Sequence, residues 1–232
     1  MSGRNALVVG GSRGIGAACV SVLKANGWNV AYTYVNNPGR EPGGIQADVR
    51  DAASVAAAFE KAKASFGDAI NCVVANAGIN VPGRPLADFS PDSMRALIET
   101  NVLGAFNVLQ EAARQVADGG SIIALTTSLV RHSLPGTGPY AATKAAVECL
   151  VRAAQKELAG RRIRVNAVAP GPVDTDLFRN GKDEATIARM AGMSPFNRVG
   201  EPREIANVVA FLASDEASWV AGQIIQPNGA LV

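Results

Sequence analysis

The sequence predicts a single α/β domain built on a doubly wound parallel sheet. Short β-branched apolar runs alternate with Ala-rich segments of helical period along the whole chain, the pattern that places helices between parallel strands. A glycine-rich turn lies where the first apolar run passes into the first helical segment. The chain has 232 residues, 48% hydrophobic and 18% charged, enough apolar mass for one continuous core in a domain of this type.

The elements follow in order. Residues 7–9 (Leu-Val-Val) predict the first strand, and residues 15–26 a helix that Gly27 is placed to end. Residues 29–34 predict the second strand, and residues 45–47 a third that stops at Asp48. Residues 52–66 predict a helix with Asp51 as its N-cap. A fourth strand at 70–74 leads to Asn76-Ala77-Gly78. Residues 90–114 predict one long helical region, with Ser90 as N-cap and Pro91 at the first helical position. A fifth strand is expected at 121–125, a helix at 140–158, a sixth strand at 163–168, a helix at 203–213 and a short last strand at 224–225.

Only residues 35–44 separate strands two and three. A parallel crossover usually needs about a dozen residues, so an irregular connector with at most one helical turn is expected. It would leave one face of the sheet locally thinner and the neighbouring end of any ligand site more open. Ligands on such sheets bind beyond the carboxyl ends of the strands, where the strand order reverses.

Composition excludes several function classes. The formal net charge is +2, too small for nucleic-acid binding by electrostatics. The densest basic spot, Arg161, Arg162 and Arg164, reads as a solvated helix end. No apolar stretch approaches the roughly 20 residues that span a bilayer. Residues 6–9 are too short for a signal-peptide core, and a cytoplasmic protein is expected. The three cysteines (Cys19, Cys72, Cys149) form no C-x-x-C, which argues against a disulfide framework. With His132 as the single histidine, no metal site is expected.

Two motifs carry chemistry. Gly10, Gly14 and Gly16, with Ser12, Arg13 and Ile15 between them, follow a strand and open a helix. Glycine there permits a tight turn and close approach of a pyrophosphate, which the helix N-terminus then binds through free N–H groups. The spacing is G-x-x-x-G-x-G rather than G-x-G-x-x-G. Tyr140 and Lys144 are four apart at the start of a helix, so phenol and ammonium share one face. A neighbouring ammonium favours phenolate and is expected to lower the phenol's pKa, making it a usable acid or base.

These motifs fall at successive strand ends, together with Asn76-Ala77-Gly78, a hydroxyl cluster at 126–128, and Pro170-Gly171. In this combination the chain resembles the short-chain dehydrogenase/reductase family in its so-called classical type, with a Rossmann-type sheet, from Ala6 to about Gly229. The resemblance implies hydride transfer between a nicotinamide cofactor and a carbonyl or alcohol. Tyr140 would be the general acid/base. Lys144 would lower its pKa and bond the nicotinamide ribose. Asn101 would support a proton relay, and Ser128 would hold the substrate oxygen. Asp48 and Val49 would contact the adenine, and Asn76, Ala77 and Gly78 would line the ribose side. Pro170, Gly171, Val173 and Thr175 would hold the nicotinamide.

Three departures matter. Val9 stands where the family usually has Thr, removing a strand-linking hydroxyl. The usual spacing from Tyr140 falls on Thr127, whereas residue type favours Ser128. Ser128 is preferred on the assumption of a loop shorter by one residue. Thr127 stays open, and Ser133 is a less favoured third option. The 35–44 connector replaces a helix common in the family.

NAD-selective sites carry an acid at the end of strand two. Here that stretch is Thr33-Tyr34-Val35-Asn36-Asn37. Arg13, with Arg40 as a second candidate, could meet a 2′-phosphate, so NADP(H) is expected rather than NAD(H). Residues 176–197 match the family's substrate lid and carry Leu177, Phe178, Ile187, Met190, Met193 and Phe196. The features most resemble 3-oxoacyl-carrier-protein reductases and sugar or alcohol dehydrogenases. The expected partner is a small carbonyl or alcohol molecule, with neither nucleic acid nor membrane. The resemblance implies a homotetramer through the long helices and the C-terminal strand, and a dimer is the alternative. The rival reading is a silent NADP(H)-binding sensor or scaffold.

Overall fold

A computed structural model of the chain describes residues 4–232. Seven strands form one parallel sheet: β1 (Asn5–Val9), β2 (Asn29–Tyr34), β3 (Gly44–Gln46), β4 (Ile70–Ala75), β5 (Val116–Leu125), β6 (Arg164–Val168) and β7 (Ile224–Ile225). Their order is β3-β2-β1-β4-β5-β6-β7. The chain runs outward from β1 in one direction and then returns to extend the sheet the other way from β4. The order therefore reverses between β1 and β4, which is where a doubly wound sheet opens its ligand crevice.

The helices are α1 (Gly14–Ala25), α2 (Ala52–Phe66), α3 (Pro91–Leu97), α4 (Gly104–Gln115), α5 (Gly138–Leu158), α6 (Asp176–Arg179), α7 (Glu184–Ala191) and α8 (Pro202–Ala213). Apolar residues of α2, α4 and α5 cover one sheet face together with Leu7 and Val9. Those of α1 and α8 cover the other with Ala6 and Val8. Both faces of β1 are buried, which is why its sequence is an unbroken apolar run rather than an alternating one.

The expected long helix at 90–114 is interrupted. Ser90 caps α3 as expected, but residues 98–103 form a π-helical segment before α4 begins. Apolar periodicity is nearly the same through such a widened turn, so the pattern did not reveal it. β5 begins at Val116, five residues earlier than expected. Its pairing with β4 jumps from Ile70↔Val116 to Cys72↔Ser121, so residues 117–120 bulge out of the ladder. Arg164, expected among solvated residues, instead donates to the carbonyls of Leu212, Ser214 and Ala217. It ties β6 to the end of α8.

The connector between β2 and β3 contains no helix, as its length requires. Tyr32 compensates for the missing layer. Its ring is buried against the α1 face, and its hydroxyl donates to the carbonyls of Pro38 and Glu41 in the connector. Lys24 of α1 grips the same stretch through Glu41 at 2.9 Å and the Pro42 carbonyl at 3.1 Å.

Candidate active site

The glycine-rich turn is shaped by contacts that leave no room for side chains. Gly10 has φ +83°, and a Cβ there would lie 2.8 Å from Ala77 Cα. A Cβ on Gly16 would lie 2.0 Å from the Gly10 carbonyl oxygen and 2.6 Å from Asn76 Nδ2. Asn76 itself donates to that carbonyl at 2.7 Å, buttressing the turn with its amide. The strand-linking hydroxyl missing at Val9 is supplied from β2, where Thr33 Oγ1 accepts from the Gly10 N–H at 3.0 Å. Gly16→Val is expected to weaken NADPH binding by about a hundredfold or more, because the valine must displace backbone. Calorimetric titration checks this.

The start of α1 has no side-chain cap, with Arg13 at the N-cap position. By contrast α2, α3, α6 and α7 are capped by Asp51, Ser90, Thr175 and Asp183. An uncapped helix start beside a glycine turn presents free N–H donors and the positive end of the helix dipole, the donor set that a pyrophosphate fits. It opens into a cleft of about 460 Å³. Gly10, Ser12, Arg13, Gly14 and Ile15 line one wall. Asp48 and Val49 line another, and Asn76, Ala77, Gly78 and Thr175 complete it.

Arg13 is exposed and makes no ion pair among the described residues. The end of β2 contributes Thr33, Tyr34 and Val35, none of them acidic. Arg40 is not among the lining residues, while its neighbour Gly39 packs on the glycine-rich turn, where a Cβ would lie 2.9 Å from the Ser12 carbonyl oxygen. Sequence reasoning missed Arg50, which lines the cleft and binds Asp48 bidentately, at 2.6 Å from Nη2 to Oδ2. The guanidinium holds the Asp48 carboxyl below its usual range, chiefly by hydrogen bonding. Its only signal was a position two residues past a strand end.

Ser128, Tyr140, Lys144, Pro170, Gly171 and Val173 lie outside this cleft's lining. Gly78 is where the two groups meet. A Cβ on Gly78 would lie 3.1 Å from Asn101 Oδ1 and 3.3 Å from Lys144 Nζ. Asn101 sits fully buried in the π-helical segment. It exchanges hydrogen bonds with the Ile79 backbone and donates to Thr143 Oγ1 of α5 at 3.2 Å. Widened helical turns often serve to aim one side chain in this way.

The three strand-end hydroxyls are separated by their partners. Thr126 Oγ1 donates to Glu148 and also faces the Val168 carbonyl. Thr127 Oγ1 accepts from the Leu129 N–H at 3.3 Å, capping a short turn. Ser128 anchors its N–H on the Pro170 carbonyl at 2.9 Å, and its hydroxyl makes no hydrogen bond among the described residues. Ser133 is exposed further along the loop.

The electrostatics correct one expectation. Burial pushes the Tyr140 phenol up to about 12 rather than Lys144 drawing it down. Burial likewise pushes the Lys144 ammonium down to about 8. The physical reason in both cases is desolvation by burial; Lys144 Nζ donates to the Leu125 carbonyl of β5 at 2.9 Å. The phenol therefore keeps its proton at neutral pH, the form a proton donor needs.

Sheet order, crevice and uncapped glycine turn together define a dinucleotide-binding α/β protein. A family profile described as enoyl-(acyl carrier protein) reductase matches residues 9–229. An NADPH-dependent aldehyde reductase-like protein of Arabidopsis thaliana chloroplasts is 38% identical, over 100% of this chain and 95% of its own. A short-chain type dehydrogenase/reductase of Picea abies is also 38% identical, over 100% and 93%. The structure of a short chain dehydrogenase from Burkholderia cenocepacia in complex with NADP superimposes with a TM-score of 0.90 at 32% identity, covering 99% of this chain and 98% of that one. The chain belongs to the short-chain dehydrogenase/reductase family.

Proposed function

We propose that this oxidoreductase reduces an aldehyde or ketone to an alcohol with NADPH, and can run the reverse oxidation. The observation that carries this reading is the meeting at Gly78 of the dinucleotide cleft with Asn101 and Lys144. The relatives named for NADPH-dependent aldehyde reduction and the neighbour bound to NADP support it. NADPH supplies the hydride. Tyr140 gives its proton to the substrate oxygen, which Ser128, the hydroxyl free of partners in this chain, holds in place. Lys144 would bond the nicotinamide ribose of a bound cofactor and stabilise charge at the phenol. Asn101 links Lys144 to a water-borne proton supply. Pro170, Gly171, Val173 and Thr175 frame the nicotinamide. A silent sensor has no observation in its favour.

The cofactor assignment is tested at Arg13. The reading expects pure protein to bind NADPH more tightly than NADH. Arg13→Ala is expected to weaken NADPH binding about tenfold and NADH binding by less than about threefold, because only the 2′-phosphate loses its partner. Equal losses for both would remove the argument. Loss of NADPH absorbance against a panel of aliphatic and aromatic aldehydes and ketones then tests turnover.

Residues 176–197 act as the substrate lid. Asp176 and Leu177 reach the cleft, and Phe196 is 68% exposed, while Ile187 is buried as ordinary packing. The working assembly is a homotetramer in the cytoplasm. No helix among the described residues is long and apolar enough to cross a membrane. Leu103 and Phe106 stand exposed at the start of α4, and Phe211 and Trp219 near the C-terminal strand edge. Such apolar surface is covered by association. Light scattering at micromolar concentration is expected to give about four times the 23.9 kDa chain mass; a monomer would contradict it.

A further inference from the structure

The row of α5 that carries Tyr140 and Lys144 continues one turn further to Glu148. Its side chain is 3% exposed, a place where a carboxylate needs strong partners. Glu148 Oε1 accepts from Thr126 Oγ1 at 3.2 Å and from Arg131 Nη1 at 3.0 Å. These two residues bracket the short turn that bears Ser128. The turn is closed internally, since the Ser128 carbonyl accepts from the N–H groups of Arg131 and His132 at 2.9 and 2.8 Å. One carboxylate thus clamps both ends of the turn to the helix of the proton donor. Lys144, a turn earlier, grips the Leu125 carbonyl just before it.

We propose that Glu148 is a positioning residue for the reaction: acting through Thr126 and Arg131, it sets where the Ser128 hydroxyl stands relative to Tyr140. This rests on the catalytic reading above. It differs from a plain structural ion pair in what it predicts. A strut that only stabilises the fold would change melting temperature and leave the chemistry of the folded enzyme alone. A strut that places Ser128 must change the chemical step, because a misplacement of an ångström costs rate.

The test uses NADPH and whichever carbonyl compound of the panel turns over fastest. Glu148→Ala is expected to lower kcat about thirtyfold, with KM and NADPH affinity changed by less than about threefold. Glu148→Gln, whose amide oxygen accepts the same two hydrogen bonds, is expected to recover kcat to within about threefold of wild type. In a Ser128→Ala background, Glu148→Ala is expected to cost less than about a further twofold, because its route is already cut. Should Glu148→Ala fail to fold, Arg131→Met with Glu148→Met removes both charges and takes its place in the same comparison. A folded Glu148→Ala with wild-type kcat overturns the proposal. So does an equal fold-loss with and without Ser128. Tyr140→Phe measured alongside separates the two readings. If it turns over at full rate the catalytic reading fails. If it is inactive and Glu148→Ala is unaffected, only the role of Glu148 fails.

Discussion

Replacing Tyr140 by Phe is expected to lower turnover roughly a thousandfold, the range spanned by removal of a positioned general acid. NADPH affinity should stay within about threefold, because the ring remains and only one oxygen is lost. The fold should not suffer. The phenol makes no hydrogen bond among the described residues, and Phe fills the same space without a polar atom to desolvate. Equal losses in kcat and kcat/KM are therefore expected, the signature of an interaction made only in the transition state. Stopped-flow measurement of NADPH consumption checks the chemical step, and thermal melting checks the fold. Full turnover by folded Tyr140→Phe would remove the mechanism.

Lys144→Met is expected to do two opposite things. Turnover should fall about a hundredfold or more, since the cation beside the reacting phenol is lost. Stability of the cofactor-free protein at neutral pH should rise. Burial lowers the Lys144 pKa from 10.5 to about 8, a cost of about 3 kcal/mol to the folded state at about 1.4 kcal/mol per pH unit. The unpaired Leu125 carbonyl left behind returns about 1–2 kcal/mol of that gain. The net expectation is a melting temperature higher by about 2–6 °C.

The sign can be worked out along the pH scale. Below pH 8 the lysine is charged in both folded and unfolded chains, and the full burial cost is present. Between about 8 and 10.5 the folded protein gives up the proton first, so the burial cost of this lysine fades as pH rises. The advantage of Lys144→Met should shrink over that window. Tyr140, held up to about 12 from 10, works the other way. Above pH 10 the unfolded chain loses the phenolic proton while the folded one keeps it, so stability falls. A melting-temperature difference between wild type and Lys144→Met that stays constant from pH 8 to 10.5 would contradict the burial of Lys144.

How much was legible in the sequence differs from element to element. β1 was readable because a buried parallel strand is a short apolar run, here Ala6 to Val9; β2, β4 and β6 were readable from their β-branched and apolar content, although Thr33, Asn71 and Asn166 interrupt it. The start of α2 was readable because Asp51 caps it, its Oδ1 accepting from the Ala53 N–H; the structure ends the helix at Gly67 with φ +64°. The π-helical segment was not readable. It differs from an α-helix by one extra residue in a turn, held open by the bonds of Asn101 to Ile79 and Thr143, 22 and 42 positions away. The β5 bulge likewise depends on how β4 lies beside it.

The candidate site divides in the same way. The residues themselves, Gly10, Gly14, Gly16, Asn101, Ser128, Tyr140 and Lys144, were picked out from turn chemistry, helical spacing and family resemblance. Their working condition was not. Arg50 emerged as a cleft residue, and the two catalytic candidates turned out to be shifted by burial rather than by each other. By itself the sequence determined the fold class, the glycine turn and the shared face of Tyr140 and Lys144, because periodicity, turn residues and i,i+4 spacing act within a few residues. Only the tertiary structure decided which hydroxyl is free, how Asn101 is aimed and which protons Tyr140 and Lys144 hold. Each of those depends on desolvation and on partners brought in from distant parts of the chain, and neither is written in any local stretch of it.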